Sequence, residues 1–273
     1  TILERPFMEF NPYGVDEWGK KIDDVGGVTV QANVDYLYSC AKRTGGDEAG
    51  ERAVRELCRL LNERLRDPAY HVTPEFLRNT WNSYGAEFVA FLREFCVILS
   101  GDHGFSFKTG REQHVSRVIR ILALPFTLEQ IYGMIPYFSG KYARGAITET
   151  VRVTAPSAII RRKFKDRTNQ QYGPYRKRCA ELICQAFKGT LIATPERVHG
   201  LQPATVRDRT CIANGDEWCE WEVTWTTPAE RRSLWSVWKS LRGEPTAESG
   251  RKRPVSAIPP AGPRGFSPAR DEP

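Results

Sequence analysis

The chain has 273 residues, of which 40% are apolar and 27% charged, so it can bury a sizeable core. This composition excludes a collagen-like or wholly disordered protein, and no apolar run reaches the roughly 18 residues that a membrane-spanning helix needs. The net charge of +7 is concentrated near the C-terminus, where residues 226–273 carry nine Lys and Arg against five Asp and Glu. Because the remainder is nearly balanced, we do not expect nucleic-acid binding.

The first half of the sequence predicts mainly helices. Residues 1–35 have no sustained period and are predicted to form an irregular lead-in. Apolar side chains recur every three or four positions over residues 48–66 and again over 86–100, which predicts two amphipathic helices. Between them, Thr73 followed by Pro74 is typical of the start of a short helix.

The second half predicts strands and one more long helix. Residues 103–108 alternate between polar and apolar side chains, which predicts a strand, and residues 127–137 follow as a short helix. A hairpin is predicted over residues 147–165 because two alternating runs flank a central turn. The long helix is predicted to begin at Pro174 and to end at Gly189.

The last predicted elements are two strands, 205–212 and 217–225, joined at Asn214-Gly215-Asp216, a tripeptide typical of tight turns. If these three residues form the turn, Cys211 lies directly opposite Cys219 on one face of the hairpin. The two thiols could then form a disulfide, contribute two ligands to a metal site, or simply pack.

Together these elements predict an α+β fold, in which a helical first half packs on a mostly antiparallel sheet that ends in a β-hairpin. The predicted organisation is a lead-in over 1–35, one domain over 36–225, an amphipathic exit helix over 226–242, and a disordered Pro/Arg-rich tail over 243–273. No phosphate-binding loop, nucleophile elbow or paired C-x-x-C motif occurs in the sequence. We therefore predict that the protein is not an enzyme.

Cysteine usage bears on the compartment. The seven cysteines are an odd number, and the first residues show no secretory signal. We therefore expect a reducing compartment, with the chain in the cytoplasm, or at the inner face of the membrane when it is part of a longer chain. Cys58 and Cys96 lie on apolar faces of predicted helices and are interpreted as buried packing residues.

The C-terminal hairpin resembles that of the 4-vinyl-reductase-type domains. The resemblance rests on Cys211, the short polar segment with Gly215-Asp216, Cys219 and the aromatic-rich strand that follows. These domains belong to a ligand-binding superfamily that includes the haem nitric-oxide-binding domains. The preceding helix, which ends in Ala-Phe-Lys-Gly, and the segment 199–204 most resemble sensor regions amino-terminal to bacterial class III nucleotide cyclases or histidine kinases.

The resemblance implies a regulatory sensor module. Such a module would bind a small apolar ligand between its helices and its sheet, form a homodimer, and signal to an output domain outside this sequence. Two other classes of function stay open: a pigment- or tetrapyrrole-handling enzyme of the vinyl-reductase type, and a dimerisation module without a ligand.

The resemblance also implies a metal site to be weighed. In the aromatic-sensing relatives, zinc is held by the two hairpin cysteines, an acidic residue and a helix cysteine. Asp208, Cys211 and Cys219 match three of these ligands by position. The helix cysteine has no clear counterpart here. In the relatives it lies well upstream of the helix-ending glycine, whereas Cys179 and Cys184 lie only ten and five residues before Gly189. We therefore expect the hairpin pair to serve in packing, with zinc as the alternative.

No cofactor is assigned from the sequence. Haem is not expected, because neither a proximal histidine nor a porphyrin-carboxylate motif can be matched. The four histidines are His71, His103, His114 and His199, and none has a nearby residue that would fix it as a base or a ligand.

Overall fold

The computed structural model describes residues 1–112 and 121–226, with helices dominating the first half and a four-stranded antiparallel sheet the second. This confirms the predicted α+β class. The helices are α1 Gly27–Asn62, α2 Pro74–Arg78, α3 Ala86–Ser100, α4 Phe105–Glu112, α5 Leu128–Gly133, α6 Ile135–Tyr142, α7 Asp166–Tyr172 and α8 Arg176–His199. The strands are β1 Val25–Gly26, β2 Ser83–Tyr84, β3 Ala146–Thr154, β4 Ser157–Phe164, β5 Thr205–Thr210 and β6 Cys219–Thr224.

The four-stranded sheet has the order β3-β4-β6-β5, and every neighbouring pair is antiparallel. Both predicted hairpins are present, as β3–β4 and as β5–β6. The core-facing side of β6 carries Cys219, Trp221 and Val223, each at most 2% exposed, as the alternating pattern predicted. Trp225 continues this face and stacks on Tyr132 of α5, with ring centroids 4.8 Å apart.

Helix α1 begins earlier than the sequence indicated, so the prediction of an irregular lead-in over residues 1–35 is wrong from Gly27 onward. Val30, Val34 and Leu37 are buried at helical spacing, and their burial stabilises the first part of this helix. The helix is interrupted at Gly46, which has φ of +73°. Only the part after this break matches the predicted helix over 48–66.

The N-terminal residues that precede α1 also belong to the core. Ile2 and Met8 are buried in the same apolar cluster as α3. Arg5 forms a buried ion pair with Glu87 of α3, and Glu87 also accepts hydrogen bonds from the backbone N–H groups of Glu9 and Phe10. The predicted exit helix over 226–242 and tail over 243–273 lie outside the described residues from position 227 onward.

The prediction of a strand over residues 103–108 is wrong, because Phe105 begins α4. Asp102 accepts a hydrogen bond from the backbone N–H of Gly104, which supports the start of this helix. Phe105 and Thr109 are both buried and lie one turn apart, so the local period is helical. The alternation seen in the sequence was too short to distinguish the two structures.

The predicted end of the long helix at Gly189 is also wrong. Helix α8 continues to His199 and ends at Gly200, which has φ of +67°. Gly189 instead lies where α8 crosses α4, and a β-carbon there would collide with the Phe107 carbonyl oxygen. No helix in the described part of the chain is long and apolar enough to cross a membrane.

Candidate metal centre

Three cysteines converge where α8 packs against the last hairpin. Cys184 lies on α8, Cys211 directly follows β5, and Cys219 is the first residue of β6. Their Sγ atoms all lie within 4.8 Å of one another, and those of Cys211 and Cys219 are 3.7 Å apart. Cys184 and Cys219 are buried, whereas Cys211 is partly exposed. We call these three residues the thiol triangle.

The hairpin positions two members of the thiol triangle. Thr210 pairs with Glu220, so the next position along β5 brings Cys211 opposite Cys219. The turn between them is tight, and Gly215 adopts φ of +105°, a conformation that favours glycine. Asp216 fixes the turn because its Oδ2 accepts a hydrogen bond from the Cys211 backbone N–H at 2.8 Å.

The third member comes from the helix that covers the sheet. Phe187, one turn beyond Cys184 on α8, packs on Trp221 of β6 with ring centroids 5.2 Å apart. This contact turns the same face of α8 towards the hairpin, which brings Cys184 onto the two hairpin thiols. Because α8 ends at Gly200 rather than at Gly189, Cys184 lies well upstream of the helix-ending glycine, which removes the mismatch in spacing seen in the sequence.

The thiol triangle is poised to carry a thiolate. The Cys184 side chain donates to Cys211, and together with backbone N–H groups of the turn it lowers the pKa of Cys211 to about 6. The same interaction raises the pKa of Cys184 well above its ordinary value. The interaction thus favours the thiolate form of Cys211 and the protonated form of Cys184.

One side of the thiol triangle has the length that tetrahedral zinc requires. Zinc–sulfur bonds of about 2.3 Å place adjacent sulfurs of a tetrahedron about 3.8 Å apart. The separation of 3.7 Å between Cys211 and Cys219 meets this value. The backbone N–H of Ile212 lies 3.3 Å from the Cys219 Sγ, and such donors to a ligating sulfur stabilise its thiolate form.

The acidic residue implied by the resemblance does not join the thiol triangle. The Asp208 carboxylate is half-exposed and bound to Lys188 Nζ on α8 at 2.5 Å. Of the predicted set Asp208, Cys211 and Cys219, the structure thus brings together only the two cysteines, and it adds Cys184. The sequence held one signal for this addition, since a glycine at 200 could have ended the helix instead of Gly189.

No known family model matches this sequence, and no curated protein matches it. Solved structures, in contrast, share its fold. An Fe(II) unliganded H-NOX protein from K. algicida is 11% identical, with a TM-score of 0.50 over 76% of this chain and 99% of that one. An oxygen-binding H-NOX domain related to soluble guanylate cyclases is 9% identical, with a TM-score of 0.44 over 72% of this chain and 95% of that one.

A third structure, solved to probe haem distortion in the H-NOX family, is 10% identical, with a TM-score of 0.43 over 76% of this chain and 97% of that one. The match at a TM-score of 0.50 shows that the fold described here is of the H-NOX type, an α+β fold. The resemblance of the hairpin to 4-vinyl-reductase-type domains stays a prediction from the sequence. The expectation that haem plays no part is corrected by the same findings, because the structural neighbours are haem-binding domains.

The described residues can be tested for a fit to haem through their histidines. His71 and His103 are exposed, and His199 is half-buried near the end of α8. In residues 1–112 and 121–226, no imidazole is therefore buried in the core where it could ligate haem iron. His114 lies outside the described residues. The histidines of the described residues therefore identify no ligand for haem iron.

Proposed function

We propose that this chain is a sensor module, which binds a small molecule between its helices and its sheet and passes the change to an output domain. The H-NOX-type fold supports this proposal, and one neighbour of that fold is described as related to soluble guanylate cyclases. The homodimer and the cytoplasmic location stay predictions from the sequence.

The thiol triangle supports the proposal that this sensor module also binds zinc. Three thiols, one from α8 and two from the hairpin, are a ligand set that suits zinc, and the pKa of one of them, Cys211, is lowered. Zinc would be held by Cys184, Cys211 and Cys219. The sequence favoured simple packing of Cys211 and Cys219 because no helix cysteine matched the spacing in the relatives. Cys184 now provides that cysteine, so we propose zinc binding instead of packing.

Zinc at this position would connect the ligand-binding body to the exit of the domain. It ties α8 to the β5–β6 hairpin, and β6 leads through Trp225 to the C-terminal part of the chain. If ligand binding moved α8, the helix would then pull β6 with it instead of sliding past this strand. We propose this rigid link as the route by which the sensor acts on an output domain.

Metal analysis of the purified protein tests the site. Protein produced with zinc in the medium should contain about one equivalent by mass spectrometry of the metal, and Cys184→Ala should lose most of it. Cys179→Ala is the matched control, because Cys179 lies on the same helix and is also buried, but is not one of the three clustered thiols. Wild-type protein without zinc, or Cys184→Ala with a full equivalent, would reject the proposal.

A further inference from the structure

Two arginines are buried in the core with no ion-pair partner in residues 1–112 and 121–226. Arg93 on α3 is 6% exposed and Arg162 on β4 is 8% exposed. The Nε and Nη1 atoms of Arg93 and the Nε atom of Arg162 are buried and have no hydrogen-bond partner among the described residues. Arginine is almost never fully buried unless it is paired, because removal of its charge from water costs several kcal/mol.

The other buried charged side chains of α3 each have an oppositely charged partner. Glu87 is paired with Arg5, and Glu94 accepts hydrogen bonds from Arg178 Nε at 2.7 Å and from Arg178 Nη2 at 3.1 Å. Both carboxylates are therefore already bound to another guanidinium. Arg93 is the exception among the buried charged side chains of this helix.

Arg162 is equally out of place on its strand. Along β4 the buried side chains Ile160 and Phe164 flank it on the core face of the sheet. Its neighbour Arg161 lies on the opposite face, where it binds Glu149 at 2.7 Å. On a half-buried strand, the positions that face the core are normally apolar, and Arg162 occupies one of them. The burial of apolar surface therefore does not explain a guanidinium at this position.

The two arginines share one environment between the helices and the sheet. Tyr172 is fully buried there, with its ring 5.1 Å from that of Phe164 on β4. Tyr172 and Cys184 interact electrostatically with both guanidinium groups. Desolvation, followed by smaller effects that include repulsion from Arg162, lowers the pKa of Arg93 to about 10, so this arginine is still charged at neutral pH.

We propose that Arg93 and Arg162 form the anchor for the carboxylate of a small organic acid that binds in the core between α3, α8 and β4. This inference rests on the proposed sensor function and specifies its ligand. Guanidinium groups hold carboxylates through paired, charge-assisted hydrogen bonds, for which the unpartnered nitrogens are suitable donors. Binding would neutralise a buried positive charge and thereby couple α3 to the sheet.

The surroundings of the anchor favour an acid with an apolar body. The Arg162 guanidinium lies 5.0 Å from the centroid of the Phe187 ring, and Tyr172 and Phe164 supply further aromatic surface.

The test compares sodium benzoate with benzamide, its uncharged analogue, at constant ionic strength and by both calorimetry and thermal unfolding. Benzoate should bind the wild-type protein saturably and raise its melting temperature, whereas benzamide should bind at least tenfold more weakly. Arg162→Met and Arg93→Met should each lose benzoate binding by at least tenfold. Arg161→Met is the control, because it removes the adjacent guanidinium from the outer face, and it should bind benzoate as the wild type does.

Arg162→Met should fold, because an apolar residue replaces an unpaired buried charge. Arg162→Lys provides a second variant that keeps the charge but loses the planar fork, and it should bind benzoate more weakly than the wild type. Equal binding of benzoate and benzamide would overturn the carboxylate anchor while leaving an apolar sensor pocket intact. Loss of zinc from Arg162→Met, with benzoate binding unchanged, would also overturn it and identify Arg162 as a counter-ion of the thiol triangle.

Discussion

Gly110 of α4 and Gly189 of α8 face each other at the closest approach of their helices. A β-carbon at Gly189 would lie 3.2 Å from the Gly110 carbonyl carbon and closer still to the Phe107 carbonyl oxygen. Gly110 shows the same restriction, because a β-carbon there would collide with the Ala186 carbonyl oxygen. The two backbones thus touch directly, and this contact fixes where α8 presents Cys184 to the hairpin.

Gly189→Ala should therefore destabilise the protein, because the added methyl group meets backbone atoms that cannot rotate away. We expect the free energy of unfolding to fall by about 2 kcal/mol or more in urea denaturation. Gly140→Ala is the matched control, since Gly140 is helical and a β-carbon there meets nothing within 4 Å. The control should gain about 0.5–1 kcal/mol from better helix propensity. Equal stability of the two variants would show that the helices do not cross at this point.

Trp221→Ala should be among the most costly substitutions in the sheet. The indole is 2% exposed and packs on Phe187, so its removal opens a large cavity between β6 and α8. We expect a loss of about 3–5 kcal/mol in the free energy of unfolding. Trp81→Ala, at a side chain that is 92% exposed, should change this energy by less than about 0.5 kcal/mol. A small effect at Trp221 would mean that this face of the hairpin is not buried.

The pair of Arg5 and Glu87 tests how the N-terminal residues are attached. Arg5→Met would leave the Glu87 carboxylate buried with only its hydrogen bonds from backbone N–H groups, so we expect a loss of about 3–5 kcal/mol in the free energy of unfolding. Arg59→Met removes an exposed ion pair with Glu56 and should cost less than about 1 kcal/mol. If the two losses were similar, Arg5 would not be an internal anchor.

The hairpin shows what could be predicted from the sequence. The presence of its two strands and the position of Cys211 opposite Cys219 follow from local rules, because alternation sets the face of each strand. The connection is longer than the predicted three-residue turn, because β5 ends at Thr210, a 3-10 helix follows over Ile212–Asn214, and β6 begins at Cys219. The buried face of Trp221 followed from the same alternation. Local patterns thus sufficed for the two thiols that lie in neighbouring strands.

The third thiol could not be predicted in this way, because its position depends on contacts between distant segments. Gly189 has the residue type of a helix end, yet its lack of a side chain serves the crossing with α4. A glycine selected for close approach and one selected for positive φ look identical in a sequence. Arg93 and Arg162 were missed for a related reason, since their burial and lack of partners appear only when α3 and β4 are packed together.

The acidity of Cys211 can be measured without metal. In chelator-treated protein, the alkylation rate of Cys211 by iodoacetamide, followed by peptide mass spectrometry, should reach half its maximum near pH 6, because the hydrogen bond from Cys184 stabilises the thiolate. Cys184→Ala removes that donor and should move the midpoint upward, towards the value of about 8.5 for a free thiol. Cys179→Ala should leave the midpoint unchanged.

The same acidity determines how the stability of the metal-free protein depends on pH. The pKa of Cys211 is lower in the folded state than in the unfolded chain, so its thiolate contributes stability that is fully present above the unfolded pKa and is lost as the pH falls through about 6. The free energy of unfolding should therefore decrease between about pH 8.5 and pH 6, and Cys211→Ser should show a smaller decrease over that range. An alkylation midpoint near 8.5 in the wild type, with no difference in pH dependence between the two proteins, would mean that Cys211 is an ordinary thiol and that the thiol triangle is not prepared for a metal.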